Sequence, residues 1–451
     1  MSAPPTREEM LTVFTGALTP AERWAMGMEW EKEAVRDDGR RVTFSEPGGV
    51  QDALRALARG GDWAPHREGP YVVGLDRAGS HVTLEPGAQI EIATPPRRSI
   101  AELETDLRTH LHELQRALGP TAHLLRTGFT PVQPVADIPF VPKGRYAVMQ
   151  RYLQRTGELA HSMMKGTTSA QYAVDFASEE DCGRKLYVTH ALSPLVTALT
   201  ANSPLAGGAP TGDLSRRARA WLQTDPARTR LPAWLVKDFS FGAYLDWALD
   251  VPMMFLRRDD RWFPARGRSF AHWLEHGIDG RRPSMDDFDL HLTSVFPDVR
   301  LKGFLEIRGA DNGSLADVLG LGAFWKGLLY DDQALEAAAG IGHALEAAGD
   351  RDALLELAIT AGLSGRWGGR RLRSWVALLL EAAESGLCRQ GARGPGEVAY
   401  LAPLQERAAR GRSPAEDVLA LWEQRDDVAS FVRATSYPPV AEIPRVTPGP
   451  S

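Results

Sequence analysis

Leu305-Glu306-Ile307-Arg308 alternates apolar and charged residues, the period of two that marks a half-buried strand. Its carboxylate and guanidinium then share one face, about 7 Å apart. Such a pair suits metal-nucleotide chemistry: the acid holds a divalent cation while the arginine neutralises charge developing on a transferred phosphoryl group. Alone, the pair reads more simply as a cross-strand ion pair. Three further stretches repeat the pattern. Met26 to Glu33 puts Glu29, Glu31 and Glu33 on one face and Met28, Trp30 and Lys32 on the other. Three like charges on one face repel unless water, bases or cations compensate them. After the Pro86-Gly87 turn that follows Glu85, Gln89 and Glu91 lie opposite Ile90 and Ile92. Ser169, Gln171 and Ala173 share a face of a fourth strand-like segment. Hard cations take oxygen ligands, so acidic strands converging on one cleft point to a site for several magnesium ions.

These segments need a scaffold, and the helical periodicities supply it. Ser99 is placed to cap a helix carrying Leu103, Leu107, Leu111, Leu114 and Leu118, stopped by Gly119-Pro120. A Pro-rich loop over 127–142 leads to a helix expected over 146–164, and Ser178 caps another that runs, interrupted at Pro194, to about 201. Residues 203–232 read as a long loop, followed by a helix over 239–249 and a strand over 251–257. From 315 onward the pattern is helical in six segments to about 423. The chain thus carries both strand-like and helical segments. It divides into a lead-in (1–20), one catalytic domain (21–433, mainly helical over 315–433) and a Pro-rich, loosely held tail (434–451).

Of 451 residues, 52 are basic and 58 acidic, a formal charge of -6 without a basic block, which does not suggest nucleic acid or a lipid surface. No stretch of 18 apolar residues occurs, so no membrane span is expected. Two cysteines, Cys182 and Cys388, make no disulfide framework, and with no cleavable leader in view a reducing cytoplasm is the expectation. His110 and His112 read as surface residues. His272 and His276 have a spacing that zinc sites use but lack the adjoining glutamate of a protease motif, so a surface helix is the simpler reading. No phosphate-loop, dinucleotide or nucleophile-elbow motif is present.

Six motifs in order, G-M-E-W-E-K from Gly27, L-E-P-G-A-Q-I-E from Leu84, T-T-S-A-Q-Y-A-V-D-F from Thr167, A-N-S-P from Ala201, T-D-P-A-R from Thr224 and H-L-T-S-V-F-P-D-V-R-L-K-G-F-L-E-I-R-G-A-D from His291, resemble the plant and proteobacterial type of glutamate-cysteine ligase. The resemblance spans about residues 20–430 and implies an α+β, glutamine synthetase-like fold, an antiparallel sheet bent into a funnel with helices outside. It implies an ATP-dependent reaction in which the γ-carboxylate of glutamate takes the terminal phosphoryl group and the amine of cysteine displaces phosphate, as a first step of glutathione or related thiol synthesis. Carried over motif by motif, Glu29, Glu31, Glu85, Glu91, Gln171 and Glu306 are the implied ligands of two or three Mg²⁺ ions, with Mn²⁺ able to substitute. Glu306 and Arg308 are the implied catalytic pair, Arg308 also meeting the ATP phosphates, and Arg228, Thr224 and Lys165 are the implied substrate contacts. Lys165-Gly166 stands where the family usually has an arginine, and lysine cannot make the planar bidentate contact with a carboxylate. A related ligase with another acid or amine, and a non-catalytic homologue, are therefore the alternatives. The expected partners are glutamate, cysteine and ATP, with no nucleic acid and no membrane, for a monomer or homodimer.

Overall fold

The computed structural model describes residues 4–259, 261–391 and 394–446. Eight strands make its main sheet: β1 (Met26–Lys32), β2 (Ala64–Glu68), β3 (Tyr71–Arg77), β4 (Ser80–Leu84), β5 (Ile90–Ala93), β6 (Ser169–Val174), β7 (Val299–Leu301) and β8 (Leu305–Asp311). They lie in the order β7-β8-β6-β1-β5-β4-β3-β2, and every neighbouring pair is antiparallel. The four acidic or amide-bearing segments are thus adjacent strands. Register completes the alignment, with Glu29 opposite Gln171 and Glu31 opposite Glu91.

One face of the sheet is dry. Met28, Trp30, Ile90, Ile92, Tyr172 and Ile307 point there, and the helices Ile100–Leu118, Glu179–Thr200 and Leu315–Leu329 pack over it. A capping box at Ser99 and Glu102 starts the first of these as expected, and Ser178 caps the second, which continues unbroken through Pro194. Lys32 is fully buried on this face, its ammonium 3.5 Å from the Trp30 ring.

Several expectations change. Glu33 lies just beyond the end of β1 and forms a fully buried ion pair with Arg41, whose Nη1 and Nη2 also donate to the carbonyls of Gly87 (3.1 Å) and Lys165 (3.3 Å). It therefore ties the Glu85 turn to the Lys165 segment instead of joining the acidic face. Removing one partner of such a pair leaves an uncompensated buried charge. Arg41→Leu is expected to lower the free energy of unfolding by about 3–5 kcal/mol in urea denaturation; an unchanged midpoint would contradict this.

The helix expected over 146–164 is two, Gly144–Leu153 and Ala160–Gly166, and 203–232 folds into a short hairpin and the helices Arg216–Leu222 and Pro226–Thr229. His110 is buried against the Trp63 ring, not on the surface, and burial pushes its imidazole down to about 4. The tail is anchored as far as Val446. Tyr437 is buried and donates to Asn312 Oδ1 and the Gly313 carbonyl, and Arg108 holds the carbonyls of Ile443 and Pro444. Residues 447–451 of the expected tail and 1–3 of the lead-in lie outside the described residues.

Candidate active site

The other face of the sheet lines a cavity of about 190 Å³. Glu29, Glu31, Glu85, Glu91 and Gln171 all reach it from β1, the Glu85 turn, β5 and β6. Strand alternation puts the β1 pair there, and the turn aims Glu85: Glu85 N–H donates to Gln89 O at 2.9 Å and Ala88 takes a left-handed φ of 64°. Gly87 is required by a close approach, because a Cβ there would meet Lys165 O at 2.5 Å. Gln89 lines the cavity too, but its amide is spent on the carbonyls of Met164 and Thr167.

Arg308 enters from β8 at a bulge between Ile307 and Ala310. The bulge is held by Arg308 N–H to Asp298 O (2.8 Å) and by the buried Arg217, whose Nη2 donates to Arg308 O (2.6 Å). A Cβ at Gly309 would sit 2.9 Å from Ser193 Oγ, which explains the glycine where the bulge meets its covering helix. The guanidinium of Arg308 donates to Gln171 Oε1 (2.6 Å) and Glu306 Oε2 (2.8 Å), while Gln171 Nε2 donates to Glu31 Oε1 (3.3 Å). One amide therefore links the arginine to the carboxylate cluster. Ser169 and Thr83 hydroxyls orient Glu31 and Glu91 at 2.9 and 2.7 Å.

The electrostatics divide the acids into two kinds. Burial, then Glu91 and other neighbouring carboxylates, raises Glu29 and Glu31 to about 8, and burial with Glu85 raises Glu91. Glu306 behaves oppositely. Despite being 1% exposed, it is held well below the usual carboxylate range by Arg300 (2.6 Å), Arg308 (2.8 Å) and Lys302 (3.3 Å). It lies behind the cavity wall, apart from the four carboxylates that line the space, and its Oε1 faces Lys302 Nζ.

Among the described residues, no three histidine, cysteine or acidic side chains converge on one point as they stand. The donor chemistry still fits hard divalent cations: four carboxylates line one small space, and those on β1 and β5 are costly to ionise there without a positive charge. This has a pH signature. Both β1 acids have folded values above the unfolded 4.5, so the fold retains protons that the unfolded chain has released. Their contribution is full below that value and is lost as pH rises to about 8. Glu306, lowered, acts only below this window, whereas His110 and His291, pushed down to about 4 in the fold, take up protons near 6.5 once unfolded and so oppose the trend in the lower part of it. The lowered lysines Lys32 and Lys143 oppose it as well, so the acids are isolated by difference: in a chelator, the Tm of wild type relative to Glu29→Gln/Glu31→Gln is expected to fall from about pH 5.5 to 8.5, and Mg²⁺ with ATP to raise the wild-type Tm more at pH 8 than at pH 6. A Tm difference flat across this range would contradict the assignment.

The three substrate contacts carried over from the motifs do not reach this cavity. Arg228 is fully buried behind it, its donors spent on Asp225 (2.7 Å), Ser294 O (2.8 Å), Tyr152 Oη (3.1 Å) and Pro252 O (2.5 Å). Thr224 Oγ1 donates to Ala220 O (2.7 Å) in a helix end, and Lys165 Nζ donates to Ile138 O (2.8 Å), turned away towards the Phe140 ring. Arg145, Arg300 and Trp221, which no sequence pattern marks as site residues, do line it. The exposed His272 and His276 rings lie 4.7 Å apart between centroids and tilted by 58°, and neither lines this cavity. A second chamber of about 490 Å³ adjoins the first, sharing Trp221, Phe296 and Arg308. Trp247, Leu222 and Leu231 give it apolar walls, and its charges are mixed: Arg230 pairs with Asp352, Arg351 with Asp298, Arg217 donates to Arg308 O, and Asp350 lines it too.

Residues 25–434 match the family model described as glutamate-cysteine ligase family 2. The chain belongs to that family. It is 34% identical over 432 residues to glutamate–cysteine ligase A, chloroplastic, of Oryza sativa subsp. indica, covering 94% of this chain and 86% of that protein. The chloroplastic glutamate–cysteine ligase of Arabidopsis thaliana is 33% identical over 424 residues, covering 93% and 80%. The fold is shared with a glutamate–cysteine ligase of Francisella tularensis solved in complex with AMP (TM-score 0.56, 14% identity, 92% of this chain and 87% of that one). A bifunctional glutathione synthetase from Pasteurella multocida is also similar (TM-score 0.52, 15% identity, 94% and 53%). Glutamate-cysteine ligase family 2 membership and the large antiparallel sheet bear out the glutamine synthetase-like α+β expectation. No helix among the described residues is long and apolar enough to cross a membrane.

Proposed function

We propose that the protein joins the γ-carboxylate of L-glutamate to the amine of L-cysteine at the expense of ATP, giving γ-glutamylcysteine, ADP and phosphate. The observation that carries this reading is the meeting of two chambers at Arg308: a small acidic one suited to carboxylate activation, and a larger one whose apolar walls and volume suit a nucleoside. The adenosine occupies the larger chamber, which brings the terminal phosphoryl group to the junction. There the γ-carboxylate attacks phosphorus and ADP leaves; the cysteine amine then attacks the acyl carbon and phosphate leaves.

Glu29, Glu31, Glu85, Glu91 and Gln171 are the residues that would hold Mg²⁺, which when bound neutralises phosphate oxygens. Glu306 orients Arg300 and Arg308 through its ion pairs. Arg308, fixed by Gln171 and Glu306, meets the charge that develops on the transferring group and needs no reorganisation to do so. Trp221 and Phe296 exclude water from the activated acid. The unpaired Cys182 and Cys388 suit a reducing compartment.

The test is a panel of acids and amines incubated with protein, ATP and Mg²⁺. ADP and γ-glutamylcysteine are expected from glutamate plus cysteine; absence of both would overturn the proposal. Faster turnover of another pair would favour a related ligase.

A further inference from the structure

We propose that Asp298 is a positioning residue for the transfer: clamped by Arg351 and His190, its carboxylate anchors the bulge that aims Arg308 at the transferring phosphoryl group. The inference rests on the ligase reading, which puts Arg308 at the reacting atoms. Pairing of β8 with β6 slips register between Ile307 and Ala310, so at Arg308 and Gly309 the chain leans on contacts outside that ladder. One is Arg217 Nη2 to Arg308 O (2.6 Å), and another is Arg308 N–H to Asp298 O (2.8 Å). The bulge is also packed closely on this side, since a Cβ at Gly309 would meet Ser193 Oγ at 2.9 Å and Asp298 Cβ at 3.9 Å.

The sheet offers Asp298 little support of its own. It precedes β7, which is three residues long and the last strand in the sheet order. Such an edge frays unless other contacts hold it. The Asp298 side chain supplies them: Oδ2 pairs with Arg351 Nη2, His190 Nδ1 lies 3.5 Å from Oδ1, and Ser193 hydrogen-bonds the same carboxylate. Arg351 is itself fixed. Its Nε donates to His190 O at 3.0 Å, and it opens the helix Arg351–Ala361, which Asp350 caps by accepting from Ala353 N–H. His190 and Ser193 lie one turn apart on the helix Glu179–Thr200, which covers the dry face of the sheet. One carboxylate thus ties two helices to the strand end that carries Arg308.

The arrangement matters because an arginine that meets developing charge must already be in place when the charge appears. A misplacement of about 1 Å can cost about 100-fold in rate. Asp298 lines the larger chamber and not the acidic one, so it reaches the activated carboxylate only through Arg308.

The experiment is a double-mutant cycle read in the formation of ADP and γ-glutamylcysteine. Asp298→Ala is expected to lower kcat about 10- to 100-fold, with the KM for ATP changing less than about threefold. Added to Arg308→Met, it is expected to lower kcat by less than about threefold more, because an arginine that is absent cannot be misaimed. A residue that merely supports the fold would cost the same factor in both backgrounds. Arg351→Met should lower kcat at least about fivefold, and Arg351→Lys, which keeps the charge, should lie between it and wild type; this pair serves if the alanine variant does not fold. A kcat within about twofold of wild type in folded Asp298→Ala or Arg351→Met, equal losses in both backgrounds, or a change confined to the KM for ATP would overturn the assignment, the last by making Asp298 and Arg351 a nucleotide contact. A wild type that forms no γ-glutamylcysteine would contradict the ligase reading itself, an outcome distinct from an active wild type in which the two losses add.

Discussion

Arg308→Met is expected to lower kcat at least about 100-fold while leaving Tm nearly unchanged. Removing one preorganised donor from a site of developing charge costs about 10²–10³ in rate, and an arginine acting on a phosphoryl group can be worth more. The fold should tolerate the change because Glu306 keeps Arg300 and Lys302 as partners, so no buried charge is orphaned. Methionine also retains part of the apolar stem packed near Trp221. A kcat within threefold of wild type, in a protein that melts normally, would remove Arg308 from the chemistry.

The second large effect is a contrast in sign between two acids that look alike in sequence. Glu306→Gln takes the balancing charge from among Arg300, Lys302 and Arg308, so unfolding free energy should fall by about 3–5 kcal/mol as activity is lost. Glu31→Gln should do the reverse to stability. Its carboxyl, raised to about 8 by burial and by Glu91 and Glu85, costs free energy to ionise, so a neutral isostere should stabilise the metal-free protein at pH 8.5. Its turnover should nonetheless drop by at least about 100-fold, as removal of an electrostatic group from the site implies. Urea unfolding in chelator reads both. A neutral Glu306→Gln together with a destabilised Glu31→Gln would show that the charge balance of the site has been misassigned.

Local pattern made much of this site legible. Alternation alone puts Glu29 with Glu31, and Glu306 with Arg308, on common faces, because side chains on a strand alternate whatever the rest of the chain does. Capping residues such as Ser99 and Ser178 likewise start their helices where the sequence places them. What alternation does not encode is what else faces a side chain. Nothing in the spacing around Glu306 shows that Arg300 and Lys302 will close on it across a tight β7-β8 hairpin.

Arg228, Thr224 and Lys165 sit in or beside the motifs, yet Arg228 and Lys165 are turned by the tertiary acceptors Ser294 O and Ile138 O, and Thr224 by the local carbonyl of Ala220, four residues earlier. Arg145 gave no periodic signal, since one basic residue in the first turn of a helix is unremarkable until that turn docks on Leu84. The helices Arg216–Leu222 and Pro226–Thr229 are too short to be stable alone and depend on packing, so a Gly- and Pro-rich segment looked like a loop. Tyr437, in a Pro-rich tail, is fixed by partners more than a hundred residues earlier, Asn312 and Gly313.

The central claim is that this cavity activates a γ-carboxylate by phosphoryl transfer. The direct measurement supplies glutamate labelled with ¹⁸O in the γ-carboxylate, together with ATP, Mg²⁺ and cysteine, and analyses the released phosphate by mass. One labelled oxygen per phosphate, formed with γ-glutamylcysteine, is the expected result; unlabelled phosphate would contradict the account.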